Sequence, residues 1–339
     1  MNAKIFTEGG EGIGFGHVTR CLALVEALKK VSFEVELVVQ GDKNVEQYLA
    51  GQPFRCETWR ENKNWELELA NIDLAIVDSY LCSKKTLEDI AQVCFTVYVD
   101  DFKRLDYPAG IVLNGSVAAK SLNYPQDEHS HGTYLLGAEY AILRSEFWID
   151  QPYSVAKKIK TVMLTFGGCD GRRLTEKILP LFKEEPFSAW SKIVILGRGA
   201  KHLMAVEDIK DKNTEIWTDL SAKEMRRVMQ KSDLAISTGG QTLYELARVG
   251  VPTIAISAAE NQDLNISHFA KGGFLIHAGD WHYQDLIQRV REALNQMSSE
   301  KERIHRSSTG RNMVDGQGAL RVVKFLKERK AYEKQTSSH

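Results

Sequence analysis

The feature that most constrains the fold of this chain is a series of short apolar runs, each of strand length, that do not alternate with polar residues. KIFTEGG, EVELVVQ, LAIVDSY, FTVYVDD and GIVLNG lie in the first part, and TVMLTFGG, KIVILGRG, TEIWTD, LAISTGG and PTIAISA in the second. A strand covered by helices on both sides needs apolar residues on both faces, so near-continuous runs point to parallel sheets. Between them lie helical patterns such as VTRCLALVEALKKV, KKTLEDIAQV, RLTEKILPLF, AKEMRRVMQKS and QTLYELARVG. Strand then helix, repeated in two blocks, predicts two α/β domains.

A chain of 339 residues is also long for one hydrophobic core. The break is expected in EFWIDQPYSVAKKIK, which has a proline, mixed charge and little periodicity. This predicts a first domain over 1–150, a second over 151–330 and a charged tail, 331–339, that frays. The polar stretch NYPQDEHSHGTYLLG reads as a loop between elements, and its His129 and His131 as solvated residues rather than metal ligands.

Forty-four basic against forty-five acidic residues leave a net charge of -1 and no broad basic surface for nucleic acid. Partners are therefore small molecules or proteins. Five scattered cysteines without a C-x-x-C pair predict free thiols in a reducing compartment. The chain enters a strand at once, and no run approaches the ~18 apolar residues of a membrane span. These features predict a cytoplasmic protein without a transmembrane segment.

Ligands of open parallel sheets bind beyond the carboxyl ends of the strands, so the glycine-bearing loops there are the candidate sites. In STGGQTLYELARVG, Gly239 and Gly240 let the backbone approach a ligand, and Gln241 and Thr242 open a helix whose free N–H groups favour an anion such as diphosphate. Glu245, one turn in, either accepts hydrogen bonds from ribose hydroxyls or complements the helix dipole. The turn FGGCD, with Gly167, Gly168 and Asp170, offers a weaker copy of the same arrangement.

In the first domain GIGFGHVTR departs from the dinucleotide fingerprint in its final spacing, and no Gly-Lys-Ser/Thr follows to make a P-loop. What remains is a turn with Gly12, Gly14 and Gly16 that ends in His17 at the expected mouth of a cleft. An imidazole titrates near working pH and can take a proton from water, but it can equally cap or pack the helix that follows. Asp78, Ser79 and Tyr80, Asp100 and Asp101, and Asn114 also close first-domain strands, and would gather on the same sheet edge.

Taken together, GIGFGHVTRCLALVEAL, IVDSY, VYVDDF, VLNGS, LLGAEYAILRSEF, LTFGGCD and the closing MVDGQGALRVV resemble the sugar-nucleotide hydrolases of pseudaminic acid biosynthesis. Those enzymes remove UDP from a 2,4-diacetamido-2,4,6-trideoxyhexose. The likeness is strongest to their relatives in spore-coat polysaccharide biosynthesis. STGGQTLYELARVGVPTIAIS followed by ENQ is similar to the nucleotide-binding half of the glycosyltransferase that adds N-acetylglucosamine to the lipid-linked muramyl peptide.

The resemblance implies a GT-B-like architecture, two Rossmann-like domains with parallel sheets facing a cleft. It implies that His17 is the general base and that UDP is held by Gly167, Gly168, Thr238 and the loop Gly239, Gly240, Gln241 and Thr242. Leu220 would meet the uracil through its backbone, Glu245 the ribose, and Asn261 and Gln262 would reach the cleft. Gly14, Gly16, Asp78, Tyr80, Asn114, Tyr140, Arg144 and Phe147 would surround the sugar or the hinge. No metal or cofactor is implied, because a helix N-terminus can carry the diphosphate. The chain departs from the family pattern at TEGGEG, where an Arg-Ser-Asp run is usual, and at Ser79, where a histidine is usual. Both departures bear on which sugar is bound.

Overall fold

The computed structural model describes residues 1–10, 12–125 and 132–336, the side chains of 330–336 excepted. The chain divides into two units, one formed by residues 1–145 with those from 316 onward, the other by 146–315. In the first unit the strands are β1 (Asn2–Glu8), β2 (Glu34–Gln40), β3 (Arg55–Cys56), β4 (Leu74–Asp78), β5 (Thr96–Val99), β6 (Gly110–Asn114) and β7 (Gly132–Leu136). They form one sheet in the order β3-β2-β1-β4-β5-β6-β7, with each neighbouring pair parallel.

The second unit repeats the plan with β8 (Thr161–Thr165), β9 (Ser191–Leu196), β10 (Thr214–Thr218), β11 (Leu234–Thr238), β12 (Thr253–Ser257) and β13 (Leu275–Asp280). Their order is β10-β9-β8-β11-β12-β13, again parallel throughout. Both sheets thus have the doubly wound order in which the chain builds outward one way, returns to the centre and builds out the other way. The reversal falls between β1 and β4 in one sheet and between β8 and β11 in the other.

The residues explain these elements. Every residue of β4, β11 and β12 is buried, as strands sandwiched between helices require. Helix Gly16–Lys30 turns Val18, Cys21, Leu24, Val25 and Leu28 inward at spacings of three and four, and ends in Lys29 and Lys30, which complement its dipole. Toward the β3 edge, Trp59 and Trp65 each pack on Phe6 with ring centroids 5.4 Å apart.

The structure differs from the sequence reading at several points, and the two-residue edge strand β3 is one that no apolar run marked. Gly132–Leu136, placed in a polar loop, is the edge strand β7, paired with β6. It is mostly half-buried, so its apolar signal is diluted. His129 and His131 lie outside the described residues. Strand β13 is also an edge strand, interrupted by His277 and Gly279, with a register shift opposite Ala255 and Ile256. Lastly, the chain passes between units at 145/146, at the start of the stretch EFWIDQPYSVAKKIK, and residues 316–330, grouped by sequence with the second domain, return to cluster with the first unit.

That return is the helix Gly318–Thr336, which extends into the segment expected to fray. It packs against helix Gly16–Lys30 and the turn Ala138–Tyr140. The Arg321 guanidinium donates to the Glu139 carbonyl, and Arg329 donates to Thr133 Oγ1 at 3.0 Å. Sequence patterning gave no warning, since an amphipathic helix records that it has a partner but not which one. Among the described residues no helix is long and apolar enough to cross a membrane.

Gly318 makes this docking possible, because a Cβ there would stand 2.1 Å from the Ala141 carbonyl oxygen. Gly318→Ala is therefore expected to lower stability by about 1–3 kcal/mol through overpacking. Urea unfolding followed by circular dichroism measures it; a midpoint equal to wild type would show that the helix docks without this close approach.

Candidate functional site

The first-unit site lies where the strand order reverses. The loop after β1 is closed by two backbone hydrogen bonds, Gly10 N–H to Gly14 O at 3.1 Å and Gly14 N–H to Gly10 O at 2.8 Å. Gly12 and Gly14 have φ of +89° and +85°, a region that side chains strain to enter. A Cβ at Gly14 or Gly16 would meet no atom within 4 Å, so these residues border open space. Helix Gly16–Lys30 starts there with no side-chain cap, and His17 is one residue into it, 5% exposed.

Asp78 ends the neighbouring strand β4 and is fully buried. Its Oδ1 lies 2.6 Å from His17 Nδ1. An ionised carboxylate can only accept, so His17 Nδ1 carries the proton of this hydrogen bond. Arg20, one helical turn beyond His17, donates through Nε to Asp78 Oδ2 at 2.5 Å and through Nη2 to Oδ1 at 2.6 Å. Its Nη1 reaches both oxygens of Asp101, at 2.7 and 2.8 Å. Tyr80 donates its hydroxyl to Asp101 and sets its ring edge-on to His17, centroids 4.3 Å apart.

Burial works to raise the Asp78 carboxyl, but the charge of Arg20, with the hydrogen bonds that Arg20 and His17 donate, outweighs it and holds the group well below the usual carboxylate range. Burial likewise opposes the Arg20 charge, and Asp101 and Asp78 overcome it. Burial and the adjacent Asp101 push the Tyr80 phenol far above its ordinary value, so it serves as a neutral donor. Beside this cluster the buried Glu8, the last residue of β1, accepts from Ser79 Oγ and from the backbone N–H of Tyr80 at 2.7 Å, and pairs with Arg60 at 3.3 Å. Glu8, in the run TEGGEG, and Ser79 are thus bonded to each other.

The other first-unit candidates separate from this cluster. Asn114 is fully buried; it donates to Tyr124 Oη at 3.0 Å and accepts from the Ser116 N–H at 2.9 Å. Asp100 accepts the Tyr124 hydroxyl at 2.6 Å and the Asp101 N–H at 2.8 Å, which makes the pair a strand-end scaffold. Tyr140 and Arg144 are half-buried on the segment after β7. Phe147 belongs to the second unit and is fully buried, its carbonyl held by Arg248 Nε at 3.0 Å, which leaves no ring surface for a sugar.

In the second unit the loops after β8 and β11 again flank the reversal. Gly167 has φ of +84°, and Gly168 is exposed, its carbonyl taking the Gly199 N–H at 2.9 Å. Thr238 ends β11, and helix Gln241–Val249 starts at Gly240 with neither a side-chain cap nor an acid in its first turn. Gln241 and Thr242 are half-buried. Gln262 ties this loop to the next: its Oε1 accepts from Gly239 N–H and Ala258 N–H, both at 3.1 Å. Asn261 beside it is exposed. Glu245 is 2% exposed, on the second turn of the helix. Leu220 is half-buried beside Ser221, whose side chain and Glu224 form a reciprocal cap on the following helix.

Arg20 was not among the sequence candidates, although it lies three residues after His17 on the same helix face. Asp101 was noted only as a strand end. Their partnership depends on β4 and β5 lying side by side.

Residues 161–317 match the glycosyltransferase family 28 C-terminal domain. Over its whole length the chain is similar to the spore coat polysaccharide biosynthesis protein SpsG of Bacillus subtilis, 26% identical over 342 residues, covering 97% of this chain and 98% of that one. It is 25% identical over 280 residues to the pseudaminic acid cytidylyltransferase and UDP-2,4-diacetamido-2,4,6-trideoxy-beta-L-altropyranose hydrolase of Helicobacter pylori, covering 80% of this chain and 47% of that protein. Among solved structures, the S. aureus MnaA–UDP co-structure superposes with a TM-score of 0.68 at 16% identity, covering 97% of both chains. The fold is GT-B-like, two Rossmann-like α/β domains.

Asp78→Asn tests the charge cluster. Because the Asp78 pKa is depressed on folding, its stabilisation is complete above about pH 4, the unfolded value, and is lost as pH falls below that. The variant is expected to be about 3 kcal/mol less stable at neutral pH, as when one partner of a buried pair is removed. The gap should narrow in urea titrations carried below about pH 4; a gap that is constant with pH would assign the loss to packing.

Proposed function

We propose that this chain is a hydrolase that releases UDP from a UDP-linked 2,4-diacetamido-2,4,6-trideoxyhexose, in the making of a nonulosonic acid for a surface or spore-coat polysaccharide. The observation that carries the reading is the hydrogen bond from His17 Nδ1 to buried Asp78, which fixes the ring and leaves Nε2 as the acceptor. The Helicobacter pylori relative, whose name includes such a hydrolase, and the spore-coat relative support the substrate class.

In this mechanism His17 Nε2 takes a proton from water as the water oxygen attacks the anomeric carbon. The bond from that carbon to the diphosphate oxygen breaks, its electron pair leaves with UDP, and configuration inverts. Asp78 holds the ring and balances the imidazolium that forms. The second unit holds UDP: the uncapped start of helix Gln241–Val249 stabilises charge growing on the leaving group, and Glu245 takes the ribose hydroxyls. The family 28 match and the UDP in the S. aureus co-structure support nucleotide binding there.

The family 28 match also favours a second reading, a glycosyltransferase in which His17 deprotonates an acceptor hydroxyl instead of water. Purified protein incubated with UDP-sugars and no acceptor separates the two. Hydrolysis predicts UDP release that is lost in His17→Ala while UDP still binds; release that waits for an added acceptor would establish transfer. For the nucleotide half, Glu245→Ala is expected to weaken UDP binding by about 1.5–3 kcal/mol if the carboxylate makes a charged hydrogen bond to ribose. Calorimetry measures it, and unchanged affinity would remove Glu245 from the site.

A further inference from the structure

The charges around His17 include one group that the mechanism above does not use. Among the described residues, the groups facing the imidazole are Arg20 on its own helix, Asp78 on β4 and Tyr80 on the loop after β4. Cys21 is bound behind Asp78 at 3.5 Å, and Asp101, after β5, is tied to Arg20 and Tyr80. Glu8, at the end of β1, and Arg60 form a separate ion pair.

Asp78 Oδ1 receives both His17 Nδ1 and Arg20 Nη2, each at 2.6 Å. The two nitrogens stand 3.1 Å apart, two donors converging on one oxygen. A carboxylate bound to a histidine alone favours the imidazolium. Here a guanidinium already shares that carboxylate, so a second proton on His17 would set one cation beside another. Asp101 holds the guanidinium through both of its oxygens, which keeps it from turning away.

We propose that Arg20 is a positioning residue that keeps His17 neutral at working pH, letting Asp78 fix the ring and its tautomer without making the ring a much stronger base. The inference rests on the reading of His17 as the proton acceptor. Its consequence is that His17 begins each cycle with Nε2 unprotonated.

The test is the titration midpoint of the His17 ring, followed by proton–nitrogen NMR of the full-length protein and assigned by its loss in His17→Gln. Arg20→Gln is expected to raise the midpoint by about one pH unit or more, and Arg20→Lys to restore most of the difference. Asp101→Asn should lower it, since the guanidinium loses its outer counter-charge. An unchanged or lower midpoint in Arg20→Gln that is folded by circular dichroism overturns the proposal. If Arg20→Gln does not fold, Asp101→Asn decides: a lower midpoint supports the proposal, and an unchanged or higher one overturns it. UDP release by the wild type is measured in parallel. Its absence with every UDP-sugar and acceptor would overturn the functional reading and leave the titration to stand on its own.

Discussion

The reversal of strand order at the centre of each sheet is the constraint on which both candidate sites depend. In a parallel sheet all carboxyl ends lie on one edge, and loops from strands on either side of the reversal lead away from each other, opening a crevice. In the first unit those strands are β1 and β4, held in register with Thr7 opposite Asp78. The loop after β1 therefore delivers His17 within 2.6 Å of the end of β4. In the second unit β8 and β11 deliver Gly167 and the turn Gly239–Gly240 in the same way.

The two units fill equivalent crevices with opposite chemistry. The first gathers three acids, Glu8, Asp78 and Asp101, around Arg20, Arg60 and His17. Such burial is costly unless every charge is paired, and the pairs are what fix the geometry. Asp78 alone has its two oxygens occupied by a ring nitrogen and two guanidinium nitrogens. The second unit offers glycines, one glutamine that joins two loops, and an uncapped helix start. A charged cluster suits the handling of a proton, and a neutral backbone cradle suits a group that brings its own negative charge.

Tertiary contacts also connect the two departures from the resembled family. Read along the chain, Glu8 in TEGGEG and Ser79 in IVDSY are far apart and unrelated. In the fold Glu8 binds Ser79 Oγ and the N–H groups of Tyr80 and Leu81, so together they hold the turn that sets Tyr80 against His17. These bonds shape the turn that lies beside the His17–Asp78 pair.

Sequence by itself determined the fold class, most of the strands, and the glycine turn with its histidine. These follow from local rules: uninterrupted apolar runs mark strands with two covered faces, and positive φ calls for glycine. It missed the edge strands β3, β7 and β13, which are short or partly exposed and so carry a diluted apolar signal, and it did not show that the helix Gly318–Thr336 groups with the first unit, because amphipathicity does not name a partner. The folded chain alone reveals that Asp78 belongs to His17, that Asn114 is bound into a scaffold around Tyr124, that Phe147 is buried, and that Arg20 stands between two carboxylates. Each of the bonds that decides this spans strands or units of structure far apart in sequence or turns on the burial they create, and pairing of that kind comes from the order of strands in the sheet.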